Sequence, residues 1–269
     1  MQMGRYLRLA AKYTWTKTKM QITFRTSFWM NFLSQGLNYA VDFLLMYIMI
    51  SAFDTINGWT AFEVMLLYAV SLLAYSFGGA FFYFVRRRVL EDIESGAFDD
   101  DLVKPVRTLP WLIVKNVQPA YITHLTLSII MLTVCFIKLS VTVTVATILW
   151  LLVTLLSGVL IFGGMFLLIT APAFLITRVN SLGDLMWFLR DSAWYPVSIF
   201  PRFLQVIMTV VFPFAMINFY PVQPLIGKQD YLFFGEWIVY LVPLIAAAFF
   251  ALSVFVFQVC MKRYKSTGS

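Results

Sequence analysis

The sequence contains few of the residues that metal centres, disulfide scaffolds and most catalytic sites require. Its 269 residues include one histidine and two cysteines, and only 12% of them are charged. Cys135 and Cys260 fall in separate apolar runs, so we expect packing residues and neither a disulfide nor a metal pair. His124 has no recognisable base or nucleophile beside it, and we expect it to hydrogen-bond between helices. The chain is therefore not expected to be an enzyme.

Signatures of nucleotide and nucleic-acid binding are also missing. The phosphate-binding pattern G-x-x-x-x-G-K-[ST] does not occur, so we expect no nucleotide cofactor on this chain. The net charge of +7 does not indicate nucleic-acid binding, because 61% of the residues are hydrophobic and the bases flank apolar runs. The longest polar stretch, 86–115, is too short for a soluble core. The composition therefore predicts one transmembrane domain over 1–269.

The chain contains several long uncharged runs. A helix needs about 20 apolar residues to cross a bilayer, at about 1.5 Å per residue. The run 139–177 is treated as one span, because a hairpin would place three arginines that follow it outside. The prediction is an all-α membrane protein with six transmembrane helices, at about 27–52, 63–85, 113–137, 145–171, 202–219 and 236–260.

The basic residues are divided very unevenly between the connections. Under the six-span prediction, 18 of the 20 lysines and arginines fall on one side, and only Lys138 and Lys228 fall on the other. Positive charge is retained in the cytoplasm during membrane insertion. We therefore expect a multi-pass protein of the bacterial cytoplasmic (inner) membrane with both termini in the cytoplasm.

Three connecting segments have patterns of their own. Residues 1–25 are basic with one apolar helical face, which predicts a cytoplasmic interfacial helix; an unstructured basic lead-in is the alternative. The segment 178–196 is amphipathic, and Trp187 and Trp194 suit the headgroup level, which predicts a second interfacial helix. The segment 220–235 contains two prolines and predicts an extracellular loop that is long enough to re-enter the membrane.

The predicted cytoplasmic loop at 86–111 combines dense charge with apolar residues. Six bases and six acids occur between 86 and 115. Ile93, Phe98 and Leu102 provide anchors for short helices, with glycine and proline as breaks between them. Balanced charge favours docking to another protein over binding to anionic lipid. The alternative is a solvated loop that only joins two spans.

Four polar residues lie at helical spacing in the first predicted span. At i, i+4, i+7 and i+11 they fall within an arc of about 60° on one helix face. Polar groups facing lipid are costly, so this face must meet protein or a watered cavity. Two interpretations stay open, namely hydrogen bonding at a helix or subunit interface and the lining of a transport pathway. The residues are Asn31, Gln35, Asn38 and Asp42.

Two segments of the chain resemble one known family. The string IESGAFDDDLVKPV at 93–106 resembles the segment after the second span in permease subunits of type-2 ABC transporters. Residues 191–227, DSAWYPVSIFPRFLQVIMTVVFPFAMINFYPVQPLIG, resemble the segment around the fifth span of the same family. The resemblance implies a type-2 ABC exporter permease fold, in which the 86–111 loop presents a coupling helix to an ATPase. The implied contact residues are Glu94, Ser95, Gly96, Phe98, Asp99, Leu102, Lys104 and Pro105.

The same resemblance implies partners and a function. ATP and Mg would be bound by a dimer of separate ABC ATPase subunits, and this chain would pair with a second six-span permease, a related chain in preference to a second copy. Membrane lipids are expected partners and nucleic acid is not. The implied function is ATP-driven export of a hydrophobic or amphipathic small molecule, lipid or peptide by alternating access. The alternatives are an ATP-independent secondary transporter, a membrane scaffold without cargo and, last, an intramembrane hydrolase.

Overall fold

The protein is all-helical over the part of the chain that the structure describes. A computed structural model describes residues 12, 15–16, 19, 25–52, 54–118, 121–176 and 180–265. The predicted interfacial helix over 1–25 therefore lies almost wholly outside the described residues. The helices are α1 Arg25–Ser51, α2 Ala61–Gly78, α3 Phe84–Glu94, α4 Asp99–Leu102, α5 Thr108–Asn116, α6 Ile122–Lys138, α7 Val145–Thr170, α8 Asn180–Ser192, α9 Arg202–Val206, α10 Phe219–Ile226 and α11 Trp237–Lys262.

Four of the described helical stretches are long and apolar enough to cross a membrane. They are Trp29–Ser51, Ala61–Glu94, Val145–Phe174 and Trp237–Lys262. A bent pair of helices between Arg202 and Ile226 passes the same test together, and α6 is apolar but only 17 residues long. By length and composition this is a multi-pass membrane protein with four such helices, or five if the bent pair counts as one span.

The helix predicted at 113–137 is divided in the structure. One helix, α5, ends at Asn116, and α6 begins at Ile122. The intervening sequence contains Pro119, which lacks a backbone N–H and disfavours helical geometry in the residue before it. The apolar run alone did not reveal this break.

The longest helical unit is the axis of the fold. Helix α2 passes through a π-helical turn at Gly79–Tyr83 directly into α3, which gives 34 continuous helical residues from Ala61 to Glu94. Small residues let α7 approach it closely: a Cβ added to Gly158 would lie 2.6 Å from the Cβ of Ala74. We call the two ends of this axis the Ala61 end and the Glu94 end.

Helix α8 runs along this axis in the opposite direction. An interfacial helix, as predicted for 178–196, would lie across the helix ends, but the side chains of α8 and of the residues after it pack along the axis from Arg86 to Tyr68. Their contacts move steadily from the Glu94 end to the Ala61 end. The contacts are Gly183 against Arg86, Trp187 against Tyr83, Trp194 against Tyr68, and the carbonyl of Ser198 with the side-chain amide of Asn57.

After α8, the chain turns back into the helix bundle from the Ala61 end of the axis and then returns to that end. Arg202–Val211 and Phe214–Ile226 are bent by 70° with respect to each other at Pro213, so the span predicted at 202–219 is not one helix. Helix α10 also occupies part of the segment that was predicted as the 220–235 loop.

Contacts fix the depth that this bent pair reaches. Its start and finish lie at the Ala61 end, and its middle lies deep beside α7. The contacts are Gln205 with the carbonyl of Ser198, the ring of Phe214 at 6.1 Å from that of Phe162, and Lys228 with Glu63 at 2.6 Å.

A cysteine at Arg202 tests the direction of α8. With both native cysteines replaced by serine, Arg202→Cys should react with a membrane-impermeant maleimide on the same side of the membrane as Asn57→Cys. Ser95→Cys, at the Glu94 end, should react from the opposite side. Reaction of Arg202→Cys on the side of Ser95→Cys would show that α8 does not run from one end of the axis to the other.

Candidate functional site

The 86–111 loop forms a folded platform at the Glu94 end. Helix α3 ends at Glu94, and Gly96 adopts a φ of 76°, which favours glycine and lets the chain reverse. The short helix α4 follows, and α5 begins at Thr108 after Pro105. The loop therefore presents short, ordered helical pieces.

The predicted contact residues differ in their exposure. Phe98 is fully buried, and Gly96, Asp99 and Lys104 are half-buried, while the other four are exposed. The most exposed apolar side chain of this platform was missed: Val103 is 81% exposed, next to the exposed Leu102. An exposed apolar pair among charged residues is typical of a surface that meets another protein. The exposed members of the predicted set are Glu94, Ser95, Leu102 and Pro105.

Phe98 is an internal anchor. Its ring lies 5.2 Å from that of Phe174, just after α7, and 5.3 Å from that of Tyr264, just after α11. The platform is thereby packed against the ends of two long apolar helices.

Asp101 ties the platform together through a buried ion-pair network. Its carboxylate is 1% exposed, and Oδ1 accepts hydrogen bonds from Lys104 Nζ at 2.6 Å and Trp111 Nε1 at 2.9 Å. Its Oδ2 accepts one from Lys115 Nζ at 2.7 Å, and Lys115 also pairs with Asp92 at 3.3 Å. The Asp101 carboxylate thus joins α4 to α5, and Lys115 extends the network to Asp92 on α3.

The charge of Asp101 is stabilised despite its burial. Burial alone would raise the pKa of this carboxyl, but the hydrogen bonds from Lys104, Lys115 and Trp111 outweigh burial and hold the pKa below its ordinary value of 3.8. Sequence analysis did not single out Asp101, because it is the third of three consecutive aspartates and only the fold distinguishes them.

The polar stripe of α1 divides into two pairs. Asn31 and Asn38 are exposed, whereas Gln35 and Asp42 are half-buried on the face that α1 turns towards the axis. The carboxylate of Asp42 is within electrostatic range of Arg190 and Asp191 on α8. The structure therefore brings two of the four predicted residues inward, and it adds two charged residues that sequence reasoning had placed at an interface.

Arg190 is held by aromatic rings at the centre of the helical axis. Its guanidinium carbon lies 4.4 Å from the ring centre of Trp187, 5.2 Å from that of Tyr75 and 5.3 Å from that of Trp194. Its nearest anion is the carboxylate of Asp191, at 2.6 Å. The side chain of Arg190 is only 16% exposed. Aromatic faces and one carboxylate therefore replace its hydration.

The charged side chains of Arg190 and Asp191 lie deep between the helices. Tyr75 lies midway along the uncharged run 64–85, so Arg190 lies near the middle of the apolar layer. The side chain of Asp191 is 46% exposed at this depth. Charged groups within a membrane face the interior of a bundle or a watered cavity, because contact with lipid is costly. The cluster of Asp42, Arg190 and Asp191 therefore marks a polar face within the membrane.

Comparison with known proteins gives one decisive result. The profile of a family described as ABC-2 family transporter protein matches residues 37–268. The chain belongs to the ABC-2 transporter family. No curated protein and no solved structure shows a significant match. The resemblance to type-2 ABC permeases is thus confirmed, and the chain is a transmembrane permease of an ABC transporter.

For His124 of this ABC-2 permease, the structure shows ring contacts where a hydrogen bond between helices was expected. His124 packs among Tyr39, Tyr75 and Tyr121, with ring centres at 4.7 to 5.6 Å, and its Nδ1 has no hydrogen-bond partner within the described ranges. No group of histidine, cysteine and acidic side chains suited to a metal occurs among the residues that the structure describes.

Replacing Asp101 by asparagine should loosen the platform of the ABC-2 permease. Asp101→Asn keeps the shape but removes the charge that two lysines share, at a cost of about 1.5–3 kcal/mol in the free energy of unfolding. Thermal unfolding of the purified chain and proteolysis within 86–115 measure this. Asp100→Asn, an exposed neighbour, is the control and should change little.

The effect should depend on pH in one direction. Because the pKa of Asp101 is lowered, its stabilisation is fully present above the ordinary value of 3.8 and is lost as pH falls through the lowered pKa. The difference between wild type and Asp101→Asn should therefore be constant near neutral pH and shrink in acid. Equal stability of the two proteins at pH 7 would contradict the role of this network.

Proposed function

We propose that this chain is one permease subunit of an ATP-driven exporter whose ATPase subunits are separate chains. The observation that supports this best is the 86–111 loop, which is an ordered platform with an exposed apolar pair at its tip and a buried ion-pair network beneath it. Closure of an ATPase dimer moves membrane helices only if a stiff element is seated in its surface. ATP and Mg act on the ATPase, and this chain contributes no catalytic residue.

The platform supplies a continuous mechanical connection. Force applied at Leu102 and Val103 would reach α5 through the hydrogen bonds of Asp101, and α3 through the pairing of Lys115 with Asp92. It reaches the ends of α7 and α11 through the ring of Phe98. The exposed tip residues, together with Glu94, Ser95 and Pro105, are the surface proposed to contact the ATPase.

The proposed topology keeps six crossings and both termini in the cytoplasm, but the fifth crossing changes. Helix α8 and the residues up to Ser198 make that crossing, and 202–226 re-enters from the outer side and returns to it. Only Lys138, Arg202 and Lys228 then lie outside, with Arg190 in the membrane and the other 16 bases inside. This distribution still satisfies the positive-inside rule in the inner membrane of a bacterium.

The transport pathway is proposed to follow the polar face of α1 and α8. A second permease, related to this chain, would enclose Asp42 and Asp191 together with the exposed Asn31 and Asn38, so that no charge faces lipid. The three charged groups sum to one negative charge, which suits an amphipathic cargo with a cationic or zwitterionic group. Small molecules, lipids and peptides of that kind are the proposed cargo class.

One observation favours a second candidate, an ATP-independent secondary transporter. Such proteins use paired charges within the membrane, and the structure places Arg190 and Asp191 at 2.6 Å near mid-depth. The two candidates differ in their energy source. For the ATP-driven exporter, transport by the assembled complex should require ATP inside the vesicles. It should persist when ionophores collapse the ion gradients across the vesicle membrane.

A charge placed on the apolar tip of the platform should detach the ATPase. Val103→Asp buries a carboxylate at the proposed contact, which should lower ATPase copurification about 30-fold, corresponding to about 2 kcal/mol of binding energy. Cargo-stimulated ATP hydrolysis should fall with it. Val143→Asp is the matched control, because Val143 is 64% exposed beyond the outer end of α6.

The control variant Val143→Asp has an expected result of its own. Val143→Asp should insert, copurify with the ATPase and stimulate hydrolysis as the wild type does. Unchanged copurification and unchanged stimulated hydrolysis in Val103→Asp would exclude this platform as the docking element.

A further inference from the structure

A cleft opens between the helix that follows the platform and the last helix of the chain. It has a volume of about 710 Å³ and is bordered by α5 and by the half of α11 nearest Lys262. The deeper part of this cleft is separate from the Asp101 network, because Ile113 lies on the opposite side of α5 from Trp111 and Lys115.

The lining of the cleft is polar at one end and apolar at the other. Arg107, Gln258 and Lys262 lie at the Glu94 end, and Ile113, Val254 and Phe250 lie further into the apolar layer. Phe250 is 12 residues before Lys262 on α11, which is about 18 Å along the helix axis. The ring of Phe250 contacts that of Phe82, which fixes it at the depth of the π-helical turn.

The charge of the lining has one sign. Arg107 and Lys262 are basic, and no acidic residue belongs to the described lining. A ligand that fits has an anionic head for the two bases and an apolar tail for the deeper part. Basic pockets between transmembrane helices on the cytoplasmic side are suited to anionic lipid headgroups.

We propose that this cleft binds one anionic glycerophospholipid of the cytoplasmic leaflet, with its phosphate at Arg107 and Lys262 and an acyl chain beside Val254 and Phe250. The proposal rests on the proposed orientation, which places the Glu94 end in the cytoplasm. An acyl chain in the cleft packs against α5 on the side opposite the Asp101 network. Bound lipid would then hold α5 between α11 and the platform and strengthen coupling to the ATPase.

The test measures lipid bound to the purified full-length chain. The protein is placed in nanodiscs of phosphatidylcholine with increasing phosphatidylglycerol, and retained lipid is counted by native mass spectrometry. Wild type should retain one phosphatidylglycerol in preference to phosphatidylcholine. Arg107→Gln with Lys262→Gln should bind it about 20-fold more weakly, since each base near an anionic headgroup contributes a several-fold factor.

Two further variants make the result specific. Arg263→Gln with Lys265→Gln removes the same charge at the same end of α11, but these residues border a different cleft, so retention should be unchanged. Val254→Trp fills the apolar part and should reduce retention although both bases remain. Equal loss in the Arg263 and Lys265 variant would show diffuse attraction to the surface and overturn the site. Full retention in Val254→Trp would overturn binding of a lipid chain.

The outcome is independent of the transport proposal. Lipid retention is measured without ATPase or cargo, so failure of the exporter proposal would leave it unchanged. Conversely, loss of ATPase docking in Val103→Asp together with unselective lipid retention would support the exporter and exclude the lipid site.

Discussion

A guanidinium group near the middle of the helix bundle sets a condition that the surrounding structure must satisfy. Only 16% of the Arg190 side chain is exposed there, so Tyr75, Trp187 and Trp194 supply aromatic faces and Asp191 supplies the counter-charge. Meeting that condition requires α8 to lie along the axis helix. The position of α8 in turn places Asp191 beside the polar face of α1, where it joins Asp42.

The axis from Ala61 to Glu94 connects this intramembrane cluster to the two surfaces of the protein. Its 34 residues span about 51 Å, which exceeds the apolar thickness of a bilayer. At the Ala61 end, Glu63 pairs with Lys228 at 2.6 Å and thereby holds the returning segment after α10. At the Glu94 end, the axis runs into the platform that Asp101 holds together. A movement of the platform therefore acts on the same helix that supports Arg190.

The sequence predicted those helices whose composition and length are set by the lipid bilayer. Long uncharged runs predicted α1, α2, α7 and α11, because residues that face lipid must be apolar and the helix length follows from membrane thickness. The family resemblance rested on the platform string and on 191–227, and the family match confirms it. Of the exposed apolar pair on the platform, the sequence pattern indicated Leu102 and missed Val103, because a hydrophobic pattern does not tell which apolar side chains of a short loop turn outward.

The parts that were not predicted depend on contacts between distant segments. Helix α8 contains Arg190, one tryptophan and two aspartates, and Trp194 follows it, which together is the local pattern of an interfacial helix. The ring of Tyr75 on α2, more than 100 residues earlier, completes the aromatic surroundings of the buried arginine that Trp187 and Trp194 supply locally. Asp101 could not be distinguished from Asp99 and Asp100 for a similar reason. Its partners Trp111 and Lys115 lie 10 and 14 residues further along the chain, and only the fold of the platform brings them to it.

Access of water to Asp191 decides whether a watered pathway runs along α1 and α8. In the complex with ATPase and second permease, and with the native cysteines replaced, Asp191→Cys should react rapidly with a small hydrophilic, membrane-impermeant thiol reagent, although it lies at mid-depth. Leu244→Cys, which is exposed on α11 six residues before the Phe250 that meets Phe82, lies closer to the depth of Tyr75 and should react slowly because it faces lipid. Equally slow reaction at both positions, with the complex intact, would contradict a watered pathway along α1 and α8.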